Sequence, residues 1–249
     1  MRNPYTDSPD DGVPQIDALA IAAHPDDVEQ TCGGTLLKLA QQGYSTGILD
    51  FTDGGMGTRG TPEIRLKEAG AAAKILRCKF RGNLHFPDAR LENSLAVKMT
   101  VATEIRRLRP RLVILPYWEA RHPDHYRAGE IGYEGAFLAG LRKLDPYTET
   151  HRPSKVIYSS LYASVEPSFV VDISAQFEAR MESLLTYESQ YGDSEVGSDI
   201  FPSRREVRDR LETVAKFYGQ KIGVKYGEPF VVKETMRVDD PMTLGVRSF

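Results

Sequence analysis

Only two cysteines, Cys32 and Cys78, occur in the 249 residues, too few for a disulfide framework or a thiolate metal cage. They read as small core residues of a cytoplasmic protein in a reducing compartment. No apolar run approaches the roughly 20 residues needed to span a bilayer, and the polar amino terminus, rich in Asp and Pro, carries no secretory signal. Excess charge is missing too. The formal net charge is −3, and no Lys/Arg block beyond Arg204-Arg205 argues for nucleic acid as a partner. Phosphate-binding signatures are also lacking. The glycine-rich stretch from Asp53 to Gly60 has no Gly-Lys-Ser/Thr ending, and it does not follow the first strand as a dinucleotide fingerprint must. It reads as a surface loop or as a flap over the sheet edge.

What is present is a chain that is 41% hydrophobic and 27% charged, the balance of a globular protein with a full core. Residues 1–15 show no periodicity and read as a loose extension. Strand patterns cover residues 17–23, 46–52, 83–86, 112–115, 156–162, 169–172 and 230–232. Between them lie helical patterns: Leu36, Leu37, Leu39 and Ala40; Ala69, Ala72, Ala73 and Leu76; Leu95, Met99, Ala102, Ile105 and Leu108; and a small-residue face of Ala128, Gly132, Ala136 and Ala139. Ser174 and Ser203 are expected to cap two later helices, the second with Glu206 in a capping box. Alternating strands and helices predict an α/β fold, a Rossmann-like, mostly parallel sheet with helices on both faces. No linker interrupts residues 16–249, so they form one domain.

Two polar clusters sit where apolar strands end. Ala18-Leu19-Ala20-Ile21 runs into His24-Pro25-Asp26-Asp27, and Leu112-Val113-Ile114-Leu115 runs towards Arg121-His122-Pro123-Asp124-His125. Three of the five histidines fall in these clusters; His85 reads as a packed or surface residue. Either cluster alone would serve as a helix cap. Two of them at the carboxyl edge of one sheet, where open α/β sheets bind ligands, point to chemistry.

His24, Asp27 and His125 form the best ligand trio, a set that suits catalytic Zn2+ and equally the facial triad of Fe2+. Asp26 is left free as a base, which favours hydrolysis over oxygen chemistry. His122, with Asp124 as its orienting partner, is placed to stay protonated and stabilise an oxyanion or a leaving amine. Arg65 lies on the buried side of its helix start, so it faces a cavity or an anion, or else snorkels to the surface. A non-catalytic nucleotide-binding module is the competing reading.

AHPDD with CGGT, the arginine in TPEIRLKEA, and PYWEARHPDH together resemble the PIG-L/LmbE-like family of metal-dependent deacetylases of N-acetylglucosaminyl compounds. The similarity is greatest to the bacillithiol-pathway enzymes that remove acetate from N-acetylglucosaminyl malate. It implies zinc on His24, Asp27 and His125, Asp26 as general base, His122 with Asp124 at the oxyanion, and Arg65 on the substrate. It also implies a homo-oligomer, such as a hexamer. A tyrosine near the metal is common in the family, with Tyr191 and Tyr226 as candidates and Phe201 possible in its place. Another amino-sugar conjugate or a chitooligosaccharide is the alternative substrate.

Overall fold

A computed structural model describes residues 15–161, 163–192 and 202–246; the expected extension over residues 1–15, apart from Gln15, lies outside the described residues, as do Tyr162 and Phe201. Seven strands make one sheet in the order β3-β2-β1-β4-β5-β7-β6. They are β1 (Ala18–Ala22), β2 (Thr46–Thr52), β3 (Phe80–Phe86), β4 (Leu112–Pro116), β5 (Lys155–Ser159), β6 (Phe169–Asp172) and β7 (Gly227–Val231). The first five pair in parallel, with Ala18 beside both Thr46 and Leu112. β7 is antiparallel to β5 and to β6, so the sheet is mostly parallel with a mixed edge.

Side-chain alternation along the strands builds a core on each face. Leu19 and Ile21 of β1 pack with Val113 and Leu115 against α4 (Leu95–Leu108) and α5 (Pro123–Ala139). Ala20 and Ala22 point the other way, to Val28, Leu36 and Leu76, on α1 (Asp27–Thr31), on α2 (Gly33–Gln41) and at the end of α3 (Pro62–Ile75). Behind that layer α6 (Phe177–Leu185), the single turn α7 (Glu188–Tyr191) and α8 (Arg204–Lys221) enclose a third cluster around Phe177, Met181 and Leu211.

Helix boundaries follow the expected caps with one exception. Thr61 accepts the Ile64 amide ahead of Pro62, and Ser203 and Glu206 close a capping box. Ser174 caps nothing: α6 starts at Phe177, and the Ser174 hydroxyl accepts the amide of Tyr226 instead. The helix after β1 is also broken in two at Cys32, whose φ of −141° leaves the helical region. Both cysteines are free. Gly34 makes room for a side chain from β7. A Cβ there would lie 2.9 Å from Glu228 Oε1, because the Glu228 carboxylate accepts the Gly34 and Thr35 amides at 2.9 and 2.7 Å and caps α2 from β7.

Candidate active site

β1 and β4 are neighbours in the sheet but leave in opposite directions, β1 towards β2 and β4 towards β5. That makes their carboxyl ends the topological switch point of the fold. Both polar clusters emerge there. After β1 the chain turns at Asp26, which holds φ 99°, ψ −21°, a left-handed conformation rare for a residue with a Cβ. The turn is closed by the His24 amide donating to Asp27 Oδ2 at 3.0 Å. After β4, His122 is the N-cap of α5, and Pro123, Asp124 and His125 form its first turn. Gly129 lets this helix approach closely, since a Cβ there would sit 2.5 Å from the Pro116 carbonyl oxygen.

The two turns bring the expected trio together. His24 Nδ1 lies 3.2 Å from His125 Nε2, His125 Nε2 lies 3.2 Å from Asp27 Oδ1, and His24 Nδ1 lies 3.5 Å from Asp27 Oδ2. Tetrahedral coordination with bonds of about 2.0–2.1 Å spaces its ligand atoms about 3.3 Å apart. All three residues are buried. Two imidazole nitrogens and a carboxylate that faces His125 with Oδ1 and His24 with Oδ2 fit a divalent ion. His24, His122 and Asp124 also approach one another within 4.8 Å, but the Asp124 carboxylate already accepts the amides of Ala89 at 2.8 Å and Leu91 at 3.4 Å. The first trio is therefore the better cradle.

Around it stands a ring that the sequence reading only partly anticipates. The far nitrogen of His24, Nε2, donates to Asp88 Oδ1 at 3.0 Å and lies 3.7 Å from Asp124 Oδ2. This contact fixes the ring and leaves Nδ1 to face the trio. Burial works against charge on His24, but hydrogen bonds to Asp124, Asp27 and Asp88 outweigh it and raise its pKa well above the ordinary value. Burial likewise opposes charge on Asp88; the hydrogen bonds from His24 and the Met56 amide prevail and bring its carboxyl down to about 2. Asp27 is held well below the carboxylate range, the pull of His125 and His24 outweighing its burial.

Asp26 is placed beside the trio, not in it. Its Oδ1 accepts from Arg65 Nη2 at 3.2 Å and its Oδ2 from the Tyr191 hydroxyl at 2.6 Å. Burial pushes it up to about 6; the Arg65 guanidinium and the Tyr191 hydrogen bond pull it down, while Asp27 adds to the rise. A carboxylate poised near neutrality is what proton abstraction requires.

Three expectations change. Arg65 is buried, with Nη2 donating to the Pro25 carbonyl at 2.5 Å as well as to Asp26. Burial excludes the snorkelling alternative: Nη2 is held by Asp26 and the Pro25 carbonyl, while the buried Nε has no hydrogen-bond partner. His122 accepts the Asp124 amide on Nδ1 at 3.2 Å, which an imidazolium could not do. Burial and the charges of His24 and His125 lower its pKa further, so it is neutral with its proton on Nε2. Asp124 touches His122 through its backbone amide, while its carboxylate serves His24 and the loop at Ala89. Of the tyrosine candidates, Tyr191 reaches the site. Tyr226 stacks on Phe177 at 3.9 Å and donates to Glu212, in the core behind α6.

Asp88 is the residue that the sequence reading missed. The Pro87-Asp88 step after β3 looks like an ordinary strand end, and its only signal is a carboxylate at the same sheet edge as the clusters. Asp88 Oδ2 also accepts the Met56 amide at 2.8 Å. The glycine-rich loop is thus pinned at the site, and Arg59 extends that hold by donating to the Gln190 carbonyl on α7 at 3.1 Å. The flap position is the one realised.

Among proteins of known sequence, the diacetylchitobiose deacetylase of Thermococcus kodakarensis is 32% identical to this chain over 223 residues, covering 84% of the chain and 80% of that protein. The family description "PIG-L: GlcNAc-PI de-N-acetylase" matches residues 19–136. The chain belongs to the PIG-L family. Two solved structures share the PIG-L fold seen here. The conserved protein TT1542 from Thermus thermophilus superposes with TM-score 0.82 at 38% identity, covering 90% of this chain and 98% of that one. The N,N'-diacetylchitobiose deacetylase from Pyrococcus horikoshii gives 0.75 at 29%, covering 88% and 83%. The matched PIG-L segment contains both clusters, Arg65 and Asp88; Tyr191 lies beyond it.

Proposed function

We propose that this protein is a metal-dependent N-deacetylase acting on an N-acetylglucosaminyl conjugate, with Zn2+ as the ion and Fe2+ as the alternative. The observation that carries the reading is the meeting of His24, Asp27 and His125 at ligand spacing with Asp26 alongside. A divalent ion held by that trio would acidify water and polarise the acetamide carbonyl. Asp26 takes the proton from the attacking water and, with Arg65 and Tyr191 fixing its two oxygens, keeps one orientation throughout. His122 donates Nε2–H to the oxygen that becomes negative as the tetrahedral adduct forms. Asp26 then returns its proton to the departing nitrogen, the C–N bond breaks, and acetate and a free amine result.

The sequence resemblance puts N-acetylglucosaminyl malate first among substrates. Two observations favour N,N'-diacetylchitobiose instead. Arg65, the residue assigned to an acidic aglycone, is turned inward, and a chitobiose deacetylase is the 32% identical relative. The same reading includes a homo-oligomer, supported by exposed Tyr133, Phe137 and Met236 beside an apolar groove of about 860 Å³, and a cytoplasmic location. Light scattering in solution tests the assembly. Among the described residues no helix is long and apolar enough to cross a membrane.

Acetate release from both substrates, with and without exhaustive chelation, tests the function. Release that stops on chelation and returns with Zn2+ or Fe2+ is expected. The Asp26→Asn variant should bind the ion normally and turn over at least a hundredfold more slowly. Full activity in that variant, or after complete removal of metal, would sink the reading.

A further inference from the structure

A small cavity of about 20 Å³ borders the trio. Asp27 and His125 contribute to its wall, and apart from Thr31 and Ser159 the rest is mainly apolar: Ala22 at the end of β1, Val28 on α1, Ala120 before the second cluster, and Leu161 after β5. A void among aliphatic side chains is usually a packing defect. This one has two of the three metal-ligand candidates in its lining, at the switch point of the sheet. Its size matches a single small group, since about 10–15 Å³ already admits one water.

We infer that this cavity receives the methyl of the acyl group and limits the protein to acetyl substrates. The inference rests on the deacetylase reading and names what that reading leaves open, the length of the acyl chain. The carbonyl oxygen and the methyl share one carbon, so an oxygen placed at the trio fixes the methyl within a few ångströms of it. Most sides of the trio are polar. Asp26, Asp88, Asp124 and His122 occupy them, and an alkyl group pressed onto those carboxylates would strip their solvation. Towards Val28, Ala120 and Leu161 the surroundings are apolar, and a methyl there replaces an empty space with dispersion contacts. Each added methylene would have to displace packed side chains. Discrimination of about 10–200-fold per methylene is the range such a pocket provides.

The test compares kcat/KM for N-formyl, N-acetyl, N-propionyl and N-butyryl derivatives of chitobiose and of glucosaminyl malate. Calorimetric titration of the metal-loaded protein with acetate, propionate and butyrate gives a second readout. The wild type should favour acetyl over propionyl by at least tenfold and bind acetate more tightly than butyrate. Leu161→Ala should raise the propionyl-to-acetyl ratio at least tenfold, and Ala120→Val should lower the acetyl-to-formyl ratio. Both positions are half-buried, so the two variants, opposite in sign, do not depend on one tolerated substitution. Hydrolysis without regard to chain length, or ratios unmoved in both variants, overturns the inference while the deacetylase reading stands. No acyl release from any substrate overturns both.

Discussion

Asp26 combines a left-handed backbone with a carboxylate whose two oxygens are each held by a separate donor. Strain of this kind persists where surrounding contacts over-determine it, and it concentrates at functional sites. Tyr191 supplies one of those contacts from the other end of the chain. A hydrogen bond to a charged group contributes about 1.5–3 kcal/mol, so Tyr191→Phe should lower kcat roughly tenfold or more and leave the affinity for the ion unchanged. An unaltered kcat would show that Arg65 alone orients the base. Asp88 would act on the proposed ion through His24, whose Nε2 it holds at 3.0 Å. Its replacement by Ala should weaken Zn2+ binding about 10–100-fold, measured by competition with a chromogenic chelator; equal affinity in variant and wild type would refute the role. The trio itself was legible in the sequence because each cluster is local and follows an apolar strand. Asp88 was not, because its partners lie far along the chain and it sits in no patterned stretch; Tyr191 was only one of two tyrosine candidates, for the same reason.

At the scale of elements, α5 decides where His122 and His125 point. Its buried face of Ala128, Gly129, Ile131, Gly132 and Ala136 lets it lie almost on the backbone of β4, and the sequence showed that small-residue face clearly. What it concealed was the first turn. Pro123 at the start and His122 as cap move the helix start ahead of His125, and that shift fixes His122 in its neutral form. Gly129→Ala would push a methyl against the Pro116 carbonyl, and overpacking of this kind costs about 1–3 kcal/mol. A lower Tm is expected, together with weaker Zn2+ binding as His125 is displaced; a variant with wild-type Tm and affinity would show that α5 can retreat freely. The break between α1 and α2 was equally hidden. The Gly33-Gly34 step marks where α2 opens, but no pattern announces a separate helix over Asp27–Thr31; the break places two helix termini where side chains from the last third of the chain can reach them.

Those side chains are Arg180 and Glu228, a buried pair 3.3 Å apart. Arg180 donates to the carbonyls of Glu29 and Gln30 at the end of α1, and Glu228 accepts at the start of α2. One ion pair therefore holds two short helices next to the turn that carries His24 and Asp27. Removing one partner of such a pair costs about 3–5 kcal/mol. Arg180→Met should lose about that much by denaturant unfolding, and Glu228→Gln added to it should recover part of the loss, a coupling that a double-mutant cycle resolves. Strict additivity would mean that the two side chains act independently. At this scale the sheet, its layers and the single domain could be read from alternating patterns. The antiparallel edge of β6 and β7 was beyond reach, since periodicity records burial and not strand direction.

Because Glu228 on β7 follows both polar clusters in the sequence, the cradle is braced by a residue translated after every one of its candidate ligands. A ribosome-bound chain arrested before β7 emerges should hold the proposed ion poorly even with every candidate ligand already translated, which would make loading a late event in the protein's maturation.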